Sequence, residues 1–371
     1  MIVLYIILAI VILLVMVLIH EFGHYVVGRV LGFKITEFSV GFGKAIVQKT
    51  NKRGEKISLR IFPLGGYCAF FGEDTEDDKE DTNPDSFVNQ KPWKRILVYI
   101  AGPLFNIISA VLFSFILLVS LGYGNIYRVT YVNPNFSQTA SVIEEGDVIY
   151  KINGKKVDYV WESTIENILP NMQDGDSVTL EYRDAETGEI VTETLVVSTN
   201  QQVDPETGEG VIENGVPIYQ TGLGLSLQLS SERLSFIDAL AQCVPFTIGL
   251  VWMVLKSLWL LITFQLPISA IGGPITTVTT VANTLGQSFA SILLFMPLIA
   301  ANLGVFNLLP FPALDGAHVV FTSIEWIRKK PIKRSIETWI HFIGLIVLFA
   351  FVIIIDIIPV SYTHLTLPTN S

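Results

Sequence analysis

Residues Ile2 to Ile19 form an unbroken run of aliphatic side chains, relieved only by one Tyr and one Met. A run of that length is about what a helix needs to cross the hydrocarbon core of a bilayer, roughly 20 residues. No basic residue precedes it and no small-residue cleavage site follows, so it reads as a retained helix rather than a removed leader. The composition agrees. Half the 371 residues are apolar, only 16% are charged against roughly a quarter in soluble domains, and the mean hydropathy is +0.52. A water-soluble globule of this size cannot hide so much apolar surface.

Three further spans are expected at Ile96 to Leu121, Ser288 to Leu309 and Ile336 to Ile358. Charge sets their direction. Residues 25–95 hold 12 of the 24 basic groups and residues 328–334 hold five more, which places both segments on the cytoplasmic side. Residues 122–235 carry 6 basic and 18 acidic groups, so this stretch reads as a water-exposed domain on the outer face. No basic excess exists to recruit nucleic acid. Phe236 to Phe264 is apolar but broken by Asp238, Pro245 and Lys256. Parity allows zero or two crossings between the second and third spans, and the favoured reading is zero, with this segment lying along the outer surface as an amphipathic helix. The alternative pairs it with Leu266 to Leu285, a poor span because of Gly272-Gly273-Pro274. On this topology Cys68 is inside and Cys243 outside, and both read as small apolar fillers.

The outer domain is expected to be a single α+β unit. Val148 to Ile152 alternates and is followed by the tight-turn pair Asn153-Gly154. Ser177 to Tyr182 and Glu193 to Val197 alternate as well, and residues 162–171 suit a short helix.

The chemistry concentrates at His20-Glu21-Phe22-Gly23-His24. Two His at i and i+4 project from one side of a helix and can hold one metal ion, leaving the Glu free to act on water. An ionised Glu near an apolar core costs a few kcal/mol unless offset, so a snorkelling pair does not explain the spacing. A hydrolytic zinc takes three protein ligands. His341 reads as a packed or interfacial histidine and His364 lies in a polar tail, whereas Asp315 and His318 follow the third span. Pro310, Pro312 and Gly316 break the chain so that Asp315 can aim at the metal, and capping of the next helix explains the same residue equally well.

These residues resemble the bacterial site-2 protease family of intramembrane zinc metalloproteases. The resemblance rests on His20 to His24, Gly41-Phe-Gly43, Phe62 to Tyr67, Ala101-Gly-Pro-Leu-Phe-Asn106 and Asn307 to Gly316, and it reaches about Asp356. It implies Zn²⁺ held by His20, His24 and Asp315, and Glu21 as general base. It also implies substrate contacts from Asn307, Pro310 and Pro312, and from Gly65 and Gly66 within a membrane-entering β-hairpin at 57–71. The outer domain resembles a PDZ module, one copy, which implies a peptide ligand or a size filter. Single-span membrane proteins in the bilayer are the implied substrates, such as anti-sigma factors or signal-peptide remnants. The implied setting is the bacterial inner membrane, with the site toward the cytoplasm. Ala317 replaces a family Gly, and Ser361 to Ser371 matches nothing in the family.

The expected architecture is therefore a polytopic α-helical membrane protein with four transmembrane helices, a membrane-associated β-hairpin and one inserted α+β PDZ-like domain. Its segments are 1–121 (helices and hairpin), 122–230 (outer domain), 231–287 (surface segment), 288–358 (helices) and 359–371 (atypical tail). Two rivals remain at this stage: a metal transporter, and a catalytically silent scaffold, for which an intact Glu21 has no use.

Overall fold

The computed structural model describes residues 2–73, 83–157, 172–265 apart from 206 and 214, 276–281, and 292–365. These divide into two compact units, one built from 1–114 and 250–371 and the other from 115–249.

In the first unit, α1 (Ile2–Val30) continues past the aliphatic run and through the histidine motif. The motif therefore sits inside a helix and not at its end. The helix stops at Gly32, which adopts φ +83°. The Phe33 amide then reaches back to Gly28 O at 2.9 Å, closing the helix with a left-handed glycine.

Next come two long strands, β1 (Ile35–Thr50) and β2 (Lys56–Phe70). They pair twice. Phe38 and Val40 face Cys68 and Gly66, while Val47 and Thr50 face Leu59 and Lys56. Residues 37–40 also face 56–59, so the ribbon is bent back on itself. The bend needs Gly41 at φ +87°, where a Cβ would come within 2.7 Å of the Phe62 carbonyl oxygen. The expected hairpin at 57–71 is thus the second half of a larger ribbon that starts at Ile35.

The remaining helices are α2 (Pro92–Ser120), whose end enters the second unit, α4 (Phe236–Ile262), which begins there, α5 (Ile292–Leu308), α6 (Asp315–Arg328) and α7 (Arg334–Leu365). Small residues let three of them approach closely. A Cβ on Gly23 of α1 would strike the α2 backbone at Ala101, and one on Gly304 of α5 would lie 3.0 Å from Pro103 O. Arg95 of α2 and Glu325 of α6 form an ion pair at 2.9 Å, with both side chains largely buried. Phe33, Phe70, Phe87, Val98 and Tyr99 fill a core beside the ribbon.

By length and composition, four helices among the described residues can cross a membrane: Val3–Val30, Pro92–Ser120, Phe236–Ile262 and Arg334–Ile353. The protein is a membrane protein. The set differs from the expected one at two places. The third expected span appears as α5, with 17 residues, and the expected surface segment contains α4, with 27. The helix itself matches the amphipathic helix expected over Phe236 to Phe264; Asp238, Pro245 and Lys256 interrupt the apolar run without breaking it, and it is long and apolar enough to cross. Its proposed pairing partner, Leu266 to Leu285, lies largely outside the described residues. The helix α7 continues through Leu365, so the first part of the atypical tail is helical.

In the second unit, β3 (Ile126–Val132), β4 (Val148–Ile152), β6 (Ser177–Arg183), β7 (Ile190–Val196) and β12 (Leu225–Ser230) form one sheet in the order β12-β3-β4-β6-β7. The pair Asn153 (φ 50°) and Gly154 (φ 76°) makes the two-residue turn from β4 to β5 (Lys155–Lys156), both residues left-handed as such a hairpin demands. A short α3 (Ser137–Ala140) and the small β8 (Ser198–Gln201), β9 (Ile212–Glu213), β10 (Val216–Pro217) and β11 (Tyr219–Gly222) complete it. Ile143, Ile149, Ile152, Val178, Leu180 and Leu195 form its core. The helix expected at 162–171 lies outside the described residues.

Candidate metal centre

One helical turn separates His20 from His24, so both imidazoles leave α1 on the same side. Both residues are only 8% exposed. Their Nε2 atoms are 3.2 Å apart. The Asp315 carboxylate arrives from the start of α6, with Oδ2 at 2.9 Å from His20 Nε2 and 3.5 Å from His24 Nε2. Capping was the competing explanation for Asp315. The N-cap position is instead Leu314, with no side-chain cap bond, and Asp315 is the first helical residue.

Donor atoms about 2.0–2.1 Å from a tetrahedral ion stand roughly 3.3 Å from one another, the spacing these three have. Asp315 Oδ2 is buried and makes no hydrogen bond of acceptable geometry, although two nitrogens surround it. An orphaned carboxylate oxygen facing two imidazole nitrogens fits a divalent cation with nitrogen and oxygen ligands, and zinc is one.

Partners on α2 fix the rings. His24 Nδ1 donates to Val98 O at 2.8 Å, which leaves Nε2 with its lone pair toward Asp315. The side-chain amide of Asn106, fully buried, lies 3.2 Å from His20 Nδ1, and its Oδ1 has no hydrogen-bond partner. A ligating Nε2 needs its proton on Nδ1. The amide, whose oxygen and nitrogen are interchangeable in shape, therefore presents its oxygen to that proton. Gly102 faces both imidazoles, and a Cβ there would collide with His24 Nε2 and lie 2.8 Å from His20 Cε1.

The ribbon supplies the other wall. The Cys68 backbone amide donates to the Glu21 carboxylate. A Cβ on Gly66 would lie 3.4 Å from Glu21 Cγ and 2.8 Å from Ser39 O, so β2 passes over Glu21 with only a glycine between. Burial pushes the Cys68 thiol up, keeping it protonated and inert.

Of the residues expected to contact substrate, Gly66 is brought to the centre. Gly65 packs against the Phe42 ring, and Pro312 packs against α7 at Gly344. Asn307 Nδ2 donates to Leu303 O of its own helix at 2.9 Å, and Pro310 is exposed. His318 does not join the three donors; its Nδ1 lies 3.4 Å from Glu337 Oε1. Sequence reasoning missed Gly102 and Asn106 as individual residues. Their only signal was membership of Ala101 to Asn106, while the backbone groups of Val98 and Cys68 left no signal at all.

An apolar helix bearing two imidazoles and a carboxylate, met by an aspartate on a second helix, defines the class of membrane-bound metalloproteases. The sequence matches peptidase family M50 over residues 8–351, and the chain belongs to that family. It is similar to proteins named "Putative zinc metalloprotease". One from Campylobacter jejuni is 27% identical over 335 residues, covering 89% of this chain and 86% of that protein. Another from Rickettsia conorii is 28% identical over 361 residues, 92% and 94%. A third from Clostridium perfringens is 29% identical over 355 residues, 95% and 97%. The chain is a zinc-dependent protease of this family.

Proposed function

We propose that the chain cleaves peptide bonds within or beside transmembrane segments of single-span membrane proteins, with His20, His24 and Asp315 holding the zinc and Glu21 serving as general base. The observation that carries this reading is the Asp315 carboxylate at 2.9 Å from His20 Nε2, within a helix hydrophobic enough to span a bilayer. Zinc bound there supplies Lewis-acid polarisation of a carbonyl and acidification of water. Glu21 takes a proton from water and delivers it to the leaving amide nitrogen. The Cys68 amide holds the carboxylate in place for both transfers. Asn106 and Val98 O hold the imidazoles in the tautomer that ligates.

A helical substrate hides its carbonyls in its own hydrogen bonds and must unwind before cleavage. The β2 segment around Gly66 offers strand pairing to the unwound stretch, next to Glu21. Asn307 and the Pro310–Pro312 turn contribute to holding it. The outer unit acts as a PDZ-like filter that excludes substrates until they are trimmed, the protein residing in the bacterial inner membrane with its site open to the cytoplasm. The test uses the full chain in vesicles with a panel of single-span proteins. Cleavage is expected to stop with a zinc chelator, and Glu21→Gln should lower it by about 10²–10⁴-fold while zinc stays bound. Cleavage unchanged in that variant overturns the assignment of Glu21, and a change in metal flux in place of cleavage favours transport.

A further inference from the structure

Outside the donor set, His318, Glu337 and His341 place candidate ligand atoms within 4.8 Å of one another. They do not make a second metal centre. The Ala313 amide donates to His341 Nδ1 at 2.9 Å, so the proton of that neutral ring is on Nε2 and neither nitrogen is free to ligate. The two imidazoles also stack face to face, 4.1 Å between centroids and 14° between planes, whereas ligand lone pairs lie in the ring planes and must converge.

What the cluster does hold is the loop that delivers Asp315. We propose that His341 is a positioning residue for the third metal ligand, clamping the Ala313 backbone two residues before it. The proposal rests on the reading that Asp315 ligates the zinc. Within this loop the Phe311 and Leu314 amides bond to Leu309 O and Phe311 O, and Pro310 and Pro312 have no amide to give. The Ala313 amide is the one directed to another element. Ala313 is held at φ +80°, a left-handed conformation that a non-glycine residue keeps only when its surroundings impose it.

One turn along α7, Gly344 closes the same clasp. A Cβ there would collide with Pro312 Cβ and lie 2.9 Å from Pro312 O. The clamp ring is itself fixed from behind. His341 stacks on His318, which stacks on Tyr99 of α2 at 4.9 Å and 14°. His341 thus joins α7 to the Asp315 loop, and its own orientation is set by α6 and α2.

The test is zinc affinity by chelator competition on the full chain in detergent, with the cobalt-substituted absorption spectrum as a reading of the donor set. His341→Phe keeps a stacking ring and removes the acceptor; His341→Asn returns an acceptor oxygen. His341→Phe should weaken zinc by about 10–100-fold, the usual effect of losing an outer partner. Its cobalt spectrum should move toward that of Asp315→Ala, and His341→Asn should recover both. Wild-type affinity and spectrum in His341→Phe, with Asp315→Ala impaired, overturns the clamp. Wild-type affinity in Asp315→Ala overturns the donor set instead. If His341→Phe does not fold, Gly344→Ala decides alone: weakened zinc supports the clamp and unchanged zinc overturns it.

Discussion

Gly102 is the residue on which the geometry of the centre makes its most exposed demand. Its missing side chain is the space in which the His20 and His24 rings sit, and a methyl group there collides with the nitrogen that faces Asp315. The backbone of α2 cannot retreat without breaking its own packing, because Ala101 already touches Gly23 of α1. Gly102→Ala is therefore expected to lower zinc affinity by at least the 10–100-fold typical of disturbed outer partners, while improving helix propensity at that position. Metal content after dialysis against a zinc buffer checks it, and full occupancy would show that the rings have room to spare. At this scale the sequence was readable where chemistry depends on side-chain type and spacing, as at His20, Glu21 and His24. Asp315 was half readable, since ligation and capping ask for the same residue; only the position of Leu314 as N-cap separates them. Val98 O and the Cys68 amide were invisible, because every residue carries those groups.

At the scale of elements, local rules and long-range pairing part company. The turn at Asn153-Gly154 was legible because two left-handed residues leave a short-range signature. The ribbon was legible only in its second strand. Glycines at 41 and 43 interrupt the alternation of β1, and those interruptions are what permit the fold-back. In the second unit, three elements are tied by Glu232, just beyond β12. Its carboxylate accepts from Tyr150 Oη of β4 at 2.6 Å and from Arg183 Nη1 of β6 at 2.9 Å. Partial burial raises the Glu232 pKa, but these two hydrogen bonds outweigh it and hold the carboxyl below its ordinary value. Burial and the same carboxylate push Tyr150 up to about 12. A carboxyl whose pKa is depressed on folding stabilises the fold above its unfolded pKa, and that stabilisation is lost as pH falls through the folded pKa. The unfolding temperature of the second unit in the intact protein should thus drop on the acid side of the ordinary Glu range. Glu232→Gln should lower it near pH 7 and flatten that acid limb. Identical pH profiles for the two proteins would remove Glu232 from this role.

For the whole molecule, the contact between Asp315 and the α1 histidines constrains topology as strongly as it constrains chemistry. The Asp315 carboxylate must meet His20 and His24 at one depth, so the exits of α1 and α5 are on the same side, and an even number of crossings separates α2 from α5. Helix α4 is long and apolar enough to be one of them. Its exposed stripe, Leu240, Val244, Ile248, Trp252, Leu255 and Trp259, is apolar throughout, and its buried stripe through Cys243, Leu250 and Val254 is apolar apart from Thr247, whose hydroxyl donates to Cys243 O. Such a helix meets lipid whether it lies along the bilayer or crosses it. Crossing, however, obliges the chain to return before Ile292, through a stretch containing Gly272-Gly273-Pro274 and six threonines. Backbone exposed in hydrocarbon at such a break costs several kcal/mol per unsatisfied group. The expected arrangement is the lower-cost one, with α4 on the outer surface and its apolar stripe on acyl chains. In a background with Cys68 and Cys243 replaced by Ala, Gln265→Cys should then react with a membrane-impermeant maleimide added outside intact cells. Labelling that requires permeabilised cells would put the end of α4 inside, and the stretch between it and α5 would have to supply the compensating span.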